Sequence, residues 1–364
     1  MKIKEIINCI EDFAPDKIQE SYDNSGLILG SYNSDINKVL ICIDVTEDII
    51  EEAINKKCDI IISHHPLIFN SLKKINVENI VGKILVKAIK NDISIYAAHT
   101  NLDNIIDGVS GMLSKKLSLK NTKVLLPKAD LLRKLVTFCP KDKADDVRNS
   151  LFKAGAGHIG NYDCCSFNTN GTGSFRALEN ANPYVGKINE LHNEDEVKIE
   201  TIYPYYLEDK ILTTLFKIHP YEEVAYDIYP LINKFDKIGA GIVGELEKEE
   251  NEIDFFLRLK KILNAKCIRH TKLFEKKIKK VAICGGSGSF LIQEAIKVNA
   301  DIFITADIKY HQFFDANNKI IIADVGHYES EQFAKELLYL IINKKFPNFA
   351  IFISKINTNP INYI

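Results

Sequence analysis

Two adjacent histidines, His64 and His65, end an apolar run in Cys58-Asp-Ile-Ile-Ile-Ser-His-His-Pro-Leu67. The isoleucines read as a buried strand, and Pro66 prevents the run from continuing as an inner one. Neutral imidazole suits zinc, iron, cobalt and related ions. Successive strand residues point to opposite faces, so two histidines leaving a strand serve two neighbouring ions more easily than one. Each could equally be an ordinary hydrogen-bonded histidine. A second cluster is His99-Thr-Asn-Leu-Asp103, where the two oxygens of Asp103 could bridge a pair of ions. Asp103 could instead cap the helix expected over 109–117. His99 reads as a ligand, a residue supporting ligands or a hydrogen-bonded wall.

A third cluster, Gly326-His-Tyr-Glu-Ser-Glu-Gln-Phe333, opens a further helix. His327 and Glu331 are four apart and share one helical face. The competing reading of Glu331 is a solvated acid near a helix amino end. Asp307 and His311 repeat this spacing, with Lys309 between them. They read as outer partners of a metal, as a proton shuttle or as contacts to an anionic substrate, against a helix cap plus solvated charge. Together the clusters point to a metal site with catalytic candidates His99, Asp307 and His311 beside it.

Other chemistries fit less well. Gly285-Gly-Ser-Gly-Ser289 follows a strand and invites an anion, but it matches neither the dinucleotide fingerprint nor a P-loop, and a tight turn is the simpler reading. No Gly-x-Ser-x-Gly elbow occurs. The eight cysteines form no Cys-x-x-Cys pair and read as buried structural thiols in a reducing compartment.

The elements that must position these residues are six apolar runs: Val39–Ile43, Ile60–Ile62, Ile93–Ala98, Val281–Cys284, Ile302–Ile304 and Ile320–Ile322. They alternate with helical stretches, so the expected fold is α/β, with mostly parallel sheets flanked by helices. Ligands bind outside the carboxyl ends of such strands, which is where the polar clusters fall. The two halves also resemble each other. Lys38-Val-Leu-Ile-Cys42 aligns with Lys280-Val-Ala-Ile-Cys284, Glu52-Ala-Ile54 with Glu294-Ala-Ile296, and Asp59-Ile60 with Asp301-Ile302. A duplicated strand–helix–strand unit would place Asp307 at the strand end equivalent to that of His64 and His65. Between the halves the texture changes to glycines, tyrosines and a charged stretch over 189–200. Two strand–helix–strand units there suit a ferredoxin-like insert. The expected domains are a first α/β lobe over 1–128, the insert over 129–233 and a second lobe over 234–364.

With 46% hydrophobic and 26% charged residues the chain reads as an ordinary globular protein. A net charge of −2 disfavours a nucleic-acid partner, which needs clustered Lys and Arg. No stretch approaches the ~20 apolar residues of a membrane span, and the start reads as an amphipathic helix rather than a signal peptide. A cytoplasmic location is expected.

Six stretches carry a resemblance: Tyr22-Asp-Asn-Ser-Gly-Leu27, Ser63-His-His-Pro66, Ala98-His-Thr-Asn-Leu-Asp103, Cys284-Gly-Gly-Ser-Gly288, Asp307-Ile-Lys-Tyr-His311 and Asp324-Val-Gly-His-Tyr328 with Glu331. They resemble the bacterial family of GTP cyclohydrolase 1 type 2 homologues, dinuclear-metal-centre hexameric proteins. Gly157-His-Ile-Gly-Asn-Tyr-Asp163 and His219-Pro-Tyr-Glu-Glu223 resemble the PII- and CutA-like insert of its longer members. The resemblance implies metal ligands at His64, His65, Asp103, His327 and Glu331, and two divalent ions per subunit (Zn, Fe, Mn or Co). It also implies a toroidal homohexamer and a nucleotide or small-molecule substrate. A metal-dependent hydrolase is the expected activity, with metal insertion into clients or metabolite sensing through the insert as alternatives. Tyr22, Ser25, Ala306 and Val224 depart from the family's usual tryptophan, valine, glycine and proline, and none is a ligand position.

Overall fold

The computed structural model describes residues 1–364. The chain forms two compact units, one from Met1–Pro127 with Lys237–Ile364 and the other from Lys128–Asp236.

The first unit contains two sheets. One runs, in spatial order, Gly26–Leu29, Ser94–Ala97, Ile60–Ser63, Lys38–Cys42 and Ala350–Ile353. Its first pairing is antiparallel and the other three are parallel. The second sheet runs Arg269–His270, Ile321–Asp324, Ile302–Ala306, Lys277–Ser287, Phe235–Asn251 and Lys120–Lys128. Its Ile302–Ala306 strand pairs in parallel with both neighbours, and antiparallel strands flank this central trio. All six apolar runs therefore lie in strands.

Burial on both faces explains why Ile60, Ile61 and Ile62 are apolar without alternation. Ile60 and Ile62 pack with Ile3, Ile6, Ile7 and Ile10 of the amino-terminal helix. Ile61 faces the opposite layer, with Ile49 and Ile50. Each such side chain contributes about 1.5–3 kcal/mol when fully buried. The helix Glu47–Lys56 that supplies Ile49 and Ile50 starts at Thr46, whose hydroxyl accepts the Ile49 amide, and ends at Lys57 in a left-handed conformation.

The internal repeat is present in three dimensions. Val39 lies opposite Ile60, and Val281 lies opposite Ile302 in the same register. The Asp59 carboxylate accepts the amides of Asn37 and Lys38 at 2.7 and 2.8 Å. Asp301 does the same for Lys279 and Lys280 at 2.8 and 2.7 Å. Lys38 Nζ donates to the Lys56 carbonyl, and Lys280 Nζ to that of Val298. Asp307 directly follows its strand, as His64 follows its own.

The second unit is a four-stranded antiparallel sheet in the order Ser166–Arg176, Leu191–Pro204, Leu132–Pro140 and Tyr226–Leu231. The helices Ala144–Ala154 and Glu208–Ile218 complete two strand–helix–strand units, the ferredoxin-like arrangement. Leu135, Val147, Leu151, Ile199, Ile211 and Leu215 share its core. The charged stretch over 189–200 belongs largely to a strand. Val197, Ile199, Thr201 and Tyr203 are buried on one face, while the charges alternate with them on the other. The cysteines are not uniformly buried, contrary to the expectation of eight structural thiols. Cys164 and Cys267 are exposed and Cys165 is half-buried, so only five of the eight cysteines are buried thiols.

Candidate metal centre

His64 and His65 leave the strand Ile60–Ser63 with its geometry retained. Their amides donate to the carbonyls of Cys42 and Ile43, and the Ser63 hydroxyl donates to the His65 carbonyl. His99 follows the next strand and precedes the short helix Thr100–Asp103. Gly326, at φ 93°, turns the chain into the helix His327–Glu331. That conformation favours glycine, and a Cβ there would also lie 2.3 Å from a Glu329 carboxylate oxygen, which would have to shift.

Each of four imidazoles has its Nδ1 engaged away from the centre. His64 Nδ1 meets the Ala98 carbonyl at 2.8 Å and His65 Nδ1 meets Asp44 at 2.7 Å. His99 Nδ1 meets Asp23 at 2.7 Å and His327 Nδ1 meets Asp307 at 2.6 Å. Such contacts fix the tautomer and ring orientation and leave Nε2 as the free donor atom. Glu331 is the hub of the arrangement. Its Oε2 lies 2.9 Å from His65 Nε2, 3.0 Å from His327 Nε2 and 3.8 Å from His64 Nε2.

His64 Nε2 lies 3.6 Å from Asp103 Oδ1. Both atoms are buried and neither has a hydrogen-bond partner. Leaving two such groups unsatisfied costs free energy unless something else binds them. Three groups place their donor atoms within 4.8 Å of one another: His64, His65 and His99; His65, His327 and Glu331; His64, Asp103 and Glu331. These clusters could hold a metal ion. Imidazole with carboxylate is a donor set that suits divalent transition ions.

The electrostatics follow from crowding. Burial raises the Asp103 carboxyl, the neighbouring Glu331 adds to that, and the His64 imidazole opposes it. Burial also opposes ionisation of Glu331, yet its contacts with His327, His64 and His65 hold it well below the usual carboxylate range. Burial works against protonation of His65, but Asp44 and Glu331 outweigh it and push the imidazole up to about 9. For His327, Asp307 and Glu331 outweigh the same burial penalty and push it up to about 11.

The cluster opens into a cavity of about 620 Å³, lined by His65, His99, Asp103, His327 and Glu331 with Tyr22, Leu67, Phe69 and Phe290. Asp307 supports His327 from outside this lining, and His311, exposed and edge-on to Tyr310, does not line it either. The glycine segment is not the turn expected after a strand: Gly285, Gly286 and Ser287 end the strand Lys277–Ser287, whose pairing with Ile302–Ala306 shifts register between Ile283 and Ser287. Gly285 N–H donates to Ser110 Oγ and Gly286 N–H to Ser330 Oγ. A Cβ on Gly286 would lie 2.1 Å from Glu331 Oε1, so the glycine leaves room for that carboxylate.

Asp44 and Asp23 were not among the sequence candidates. Asp44 directly follows the apolar run Val39–Ile43, as His64 follows its run, so the strand-end rule could have found it. Asp23 lies in a polar turn before the first strand, where nothing local marks it as the partner of His99.

The chain matches relatives along its whole length. The Bacillus subtilis GTP cyclohydrolase 1 type 2 homolog is 39% identical, over 99% of this chain and 98% of that protein. The protein of the same description from Staphylococcus epidermidis is 37% identical over 100% of both. Among solved structures, the Bacillus cereus protein related to NIF3 superposes with a TM-score of 0.87 at 40% identity, covering 100% of this chain and 99% of that one. A Staphylococcus aureus protein gives 0.78 at 32% identity with the same coverage. No helix is long and apolar enough to cross a membrane. Residues 1–360 match the family model of Duf34/NIF3 (NGG1p interacting factor 3), and the chain belongs to that family.

Proposed function

We propose that the cavity is the dinuclear metal centre of a hydrolase acting on a nucleotide or another small molecule. The observation that supports this most strongly is the convergence of His Nε2 atoms on Glu331, with His64 Nε2 and Asp103 Oδ1 buried and unsatisfied. In this reading His64, His65, Asp103, His327 and Glu331 hold two divalent ions, drawn from Zn, Fe, Mn and Co. When bound, such a pair supplies Lewis-acid activation of water and of the electrophile under attack. The chain's own residues do the rest. Asp44 and Asp307 orient His65 and His327. His99, held by Asp23 at the cavity wall, is placed to accept or deliver a proton. Leu67, Phe69 and Phe290 offer apolar surface in the cavity lining to a bound molecule.

The relatives' printed name motivates beginning with GTP, and a cavity of about 620 Å³ lies in the range of small-molecule sites. We further propose that the protein acts in the cytoplasm as a homohexamer. A second reading, metabolite sensing, is favoured by a separate cavity of about 690 Å³ in the second unit, lined by Phe138, Phe175, Tyr184 and Tyr221.

The test is turnover. Metal-loaded protein is incubated with GTP, other nucleotides and model phosphoesters, and products are identified by mass spectrometry. Product formation that disappears in Asp103→Ala supports the hydrolase. Absence of product across the panel, with two ions bound, would move metal delivery to client proteins or sensing ahead of it.

A further inference from the structure

The segment following the last strand performs work that the metal reading leaves unassigned. After Ala350–Ile353 the chain crosses to the cavity, and Asn359, Pro360 and Ile361 line it together with His65, His327 and Glu331. This segment has no helix or strand of its own, yet it is held at several points. The Ser354 amide donates to the Ile41 carbonyl at 2.8 Å, and Ser354 is buried. Further along, the Asn359 side-chain amide donates to Glu329 Oε1 at 3.1 Å, and Glu329 is itself buried. Two local turns, from the Asn359 amide to Asn357 Oδ1 and from the Ile361 amide to Asn359 Oδ1, stiffen the stretch between these anchors.

The central anchor points at the ligand cluster. Thr358 Oγ1 donates to Asp44 Oδ2 at 2.5 Å, while the other oxygen of Asp44 accepts from His65 Nδ1 at 2.7 Å. His65 Nε2 in turn lies 2.9 Å from Glu331 Oε2. A carboxylate with one oxygen on an imidazole can still rotate about its own axis. Fixing the second oxygen removes that freedom and sets the plane in which His65 is held.

We propose that residues 354–361 form a strap that closes one wall of the cavity, with Thr358 as a positioning residue acting on His65 through Asp44. This deepens the metal-centre reading and rests on it for the consequence to metal binding. Outer partners of metal-bound histidines typically contribute 10- to 100-fold in affinity. Thr358 stands one contact further out, so its hydroxyl contributes at the lower end of that range. The strap also contributes to the shape of the cavity, because Pro360 and Ile361 add apolar surface to its lining.

The experiment uses the full chain as wild type, Thr358→Val and Thr358→Ser. Valine keeps the branched shape and removes the hydroxyl, and serine keeps the hydroxyl. Zinc affinity is measured by competition with a chromophoric chelator, and hydrogen exchange over 355–361 is followed by mass spectrometry on metal-free protein. The expected result is about 10-fold weaker zinc binding and faster exchange in Thr358→Val, with Thr358→Ser close to wild type in both. Wild-type affinity and exchange in Thr358→Val overturn the strap, as does equal loss in both variants, which would make the hydroxyl irrelevant. If wild type binds no zinc, the metal-centre reading and the affinity consequence fall together. The exchange data on metal-free protein then still decide whether Thr358 holds the strap.

Discussion

Gly286→Ala tests how tightly the glycine-rich end of the strand Lys277–Ser287 is coupled to the ligand cluster. Gly286 has φ +64°, a left-handed conformation that costs a non-glycine residue about 1–2 kcal/mol. The added Cβ would also lie 2.1 Å from Glu331 Oε1 and 3.2 Å from its Cδ. Ordinary contact begins near 3.4 Å, so the carboxylate must retreat by roughly 1 Å. It has little room to do so, since Glu331 is 2% exposed and its Oε2 sits at 2.9 and 3.0 Å from two imidazoles. A shift of that size breaks at least one charge-assisted contact, worth about 1.5–3 kcal/mol. The expected loss in denaturant unfolding is therefore about 2.5–5 kcal/mol, with at least one metal ion lost per chain. Gly26→Ala is the control. Gly26 also has positive φ, +112°, but its Cβ would meet only the Asp16 carboxylate at 3.6 Å, an ordinary contact. That variant should lose stability through backbone strain and keep its metal. If Gly286→Ala binds metal like wild type, the steric reading of Gly286 is wrong.

Two predictions concern the imidazoles. Asp307→Asn keeps the shape of the His327 partner but removes its charge, and should weaken metal binding about 10- to 100-fold without unfolding the chain, as read by chelator competition and circular dichroism. Metal uptake near pH 7 should release protons, because His65, pushed up to about 9, and His327, pushed up to about 11, must both become neutral to ligate. Affinity thus rises with pH. In metal-free protein the sign reverses for stability: the raised His65 value stabilises the fold below the free-histidine value near 6.5, and that contribution is lost as pH rises through about 9. Calorimetry in buffers of different ionisation enthalpy checks the release, and a heat independent of buffer would contradict it.

The strands that carry the site were legible because buried parallel strands need unbroken apolar runs, and Ile60–Ile62 and Ile302–Ile304 are such runs. The repeat was legible because Asp59 and Asp301 each tie down the start of a neighbouring strand, a local task that fixes residue type and spacing. The edge strands were harder. Ala350–Ile353 and Gly26–Leu29 have only partial burial and short length, so their patterns are weak. In the second unit, the charges of Leu191–Pro204 obscured an alternation that Val197 and Ile199 already carried.

For the site, histidines at strand ends announce themselves by type and position. What holds them does not. Glu331 meets His65 across 266 positions, His99 meets Asp23 across 76, and Thr358 meets Asp44 across 314. Contacts of that range depend on how two sheets and a tail come together, and no local pattern encodes them. His311 illustrates the converse. Its spacing from Asp307 matched that of Glu331 from His327, but the segment that carries it, Tyr310–Ala316, is a tighter turn that leaves its imidazole exposed.

Whether two ions occupy this centre is decided by elemental analysis of protein purified without added metal, run beside Glu331→Ala and Asp103→Ala. The expected result is close to two divalent ions per chain in wild type and the loss of at least one in each variant. Two ions per chain retained in both variants, or wild type that holds no metal and cannot be reloaded, would contradict it.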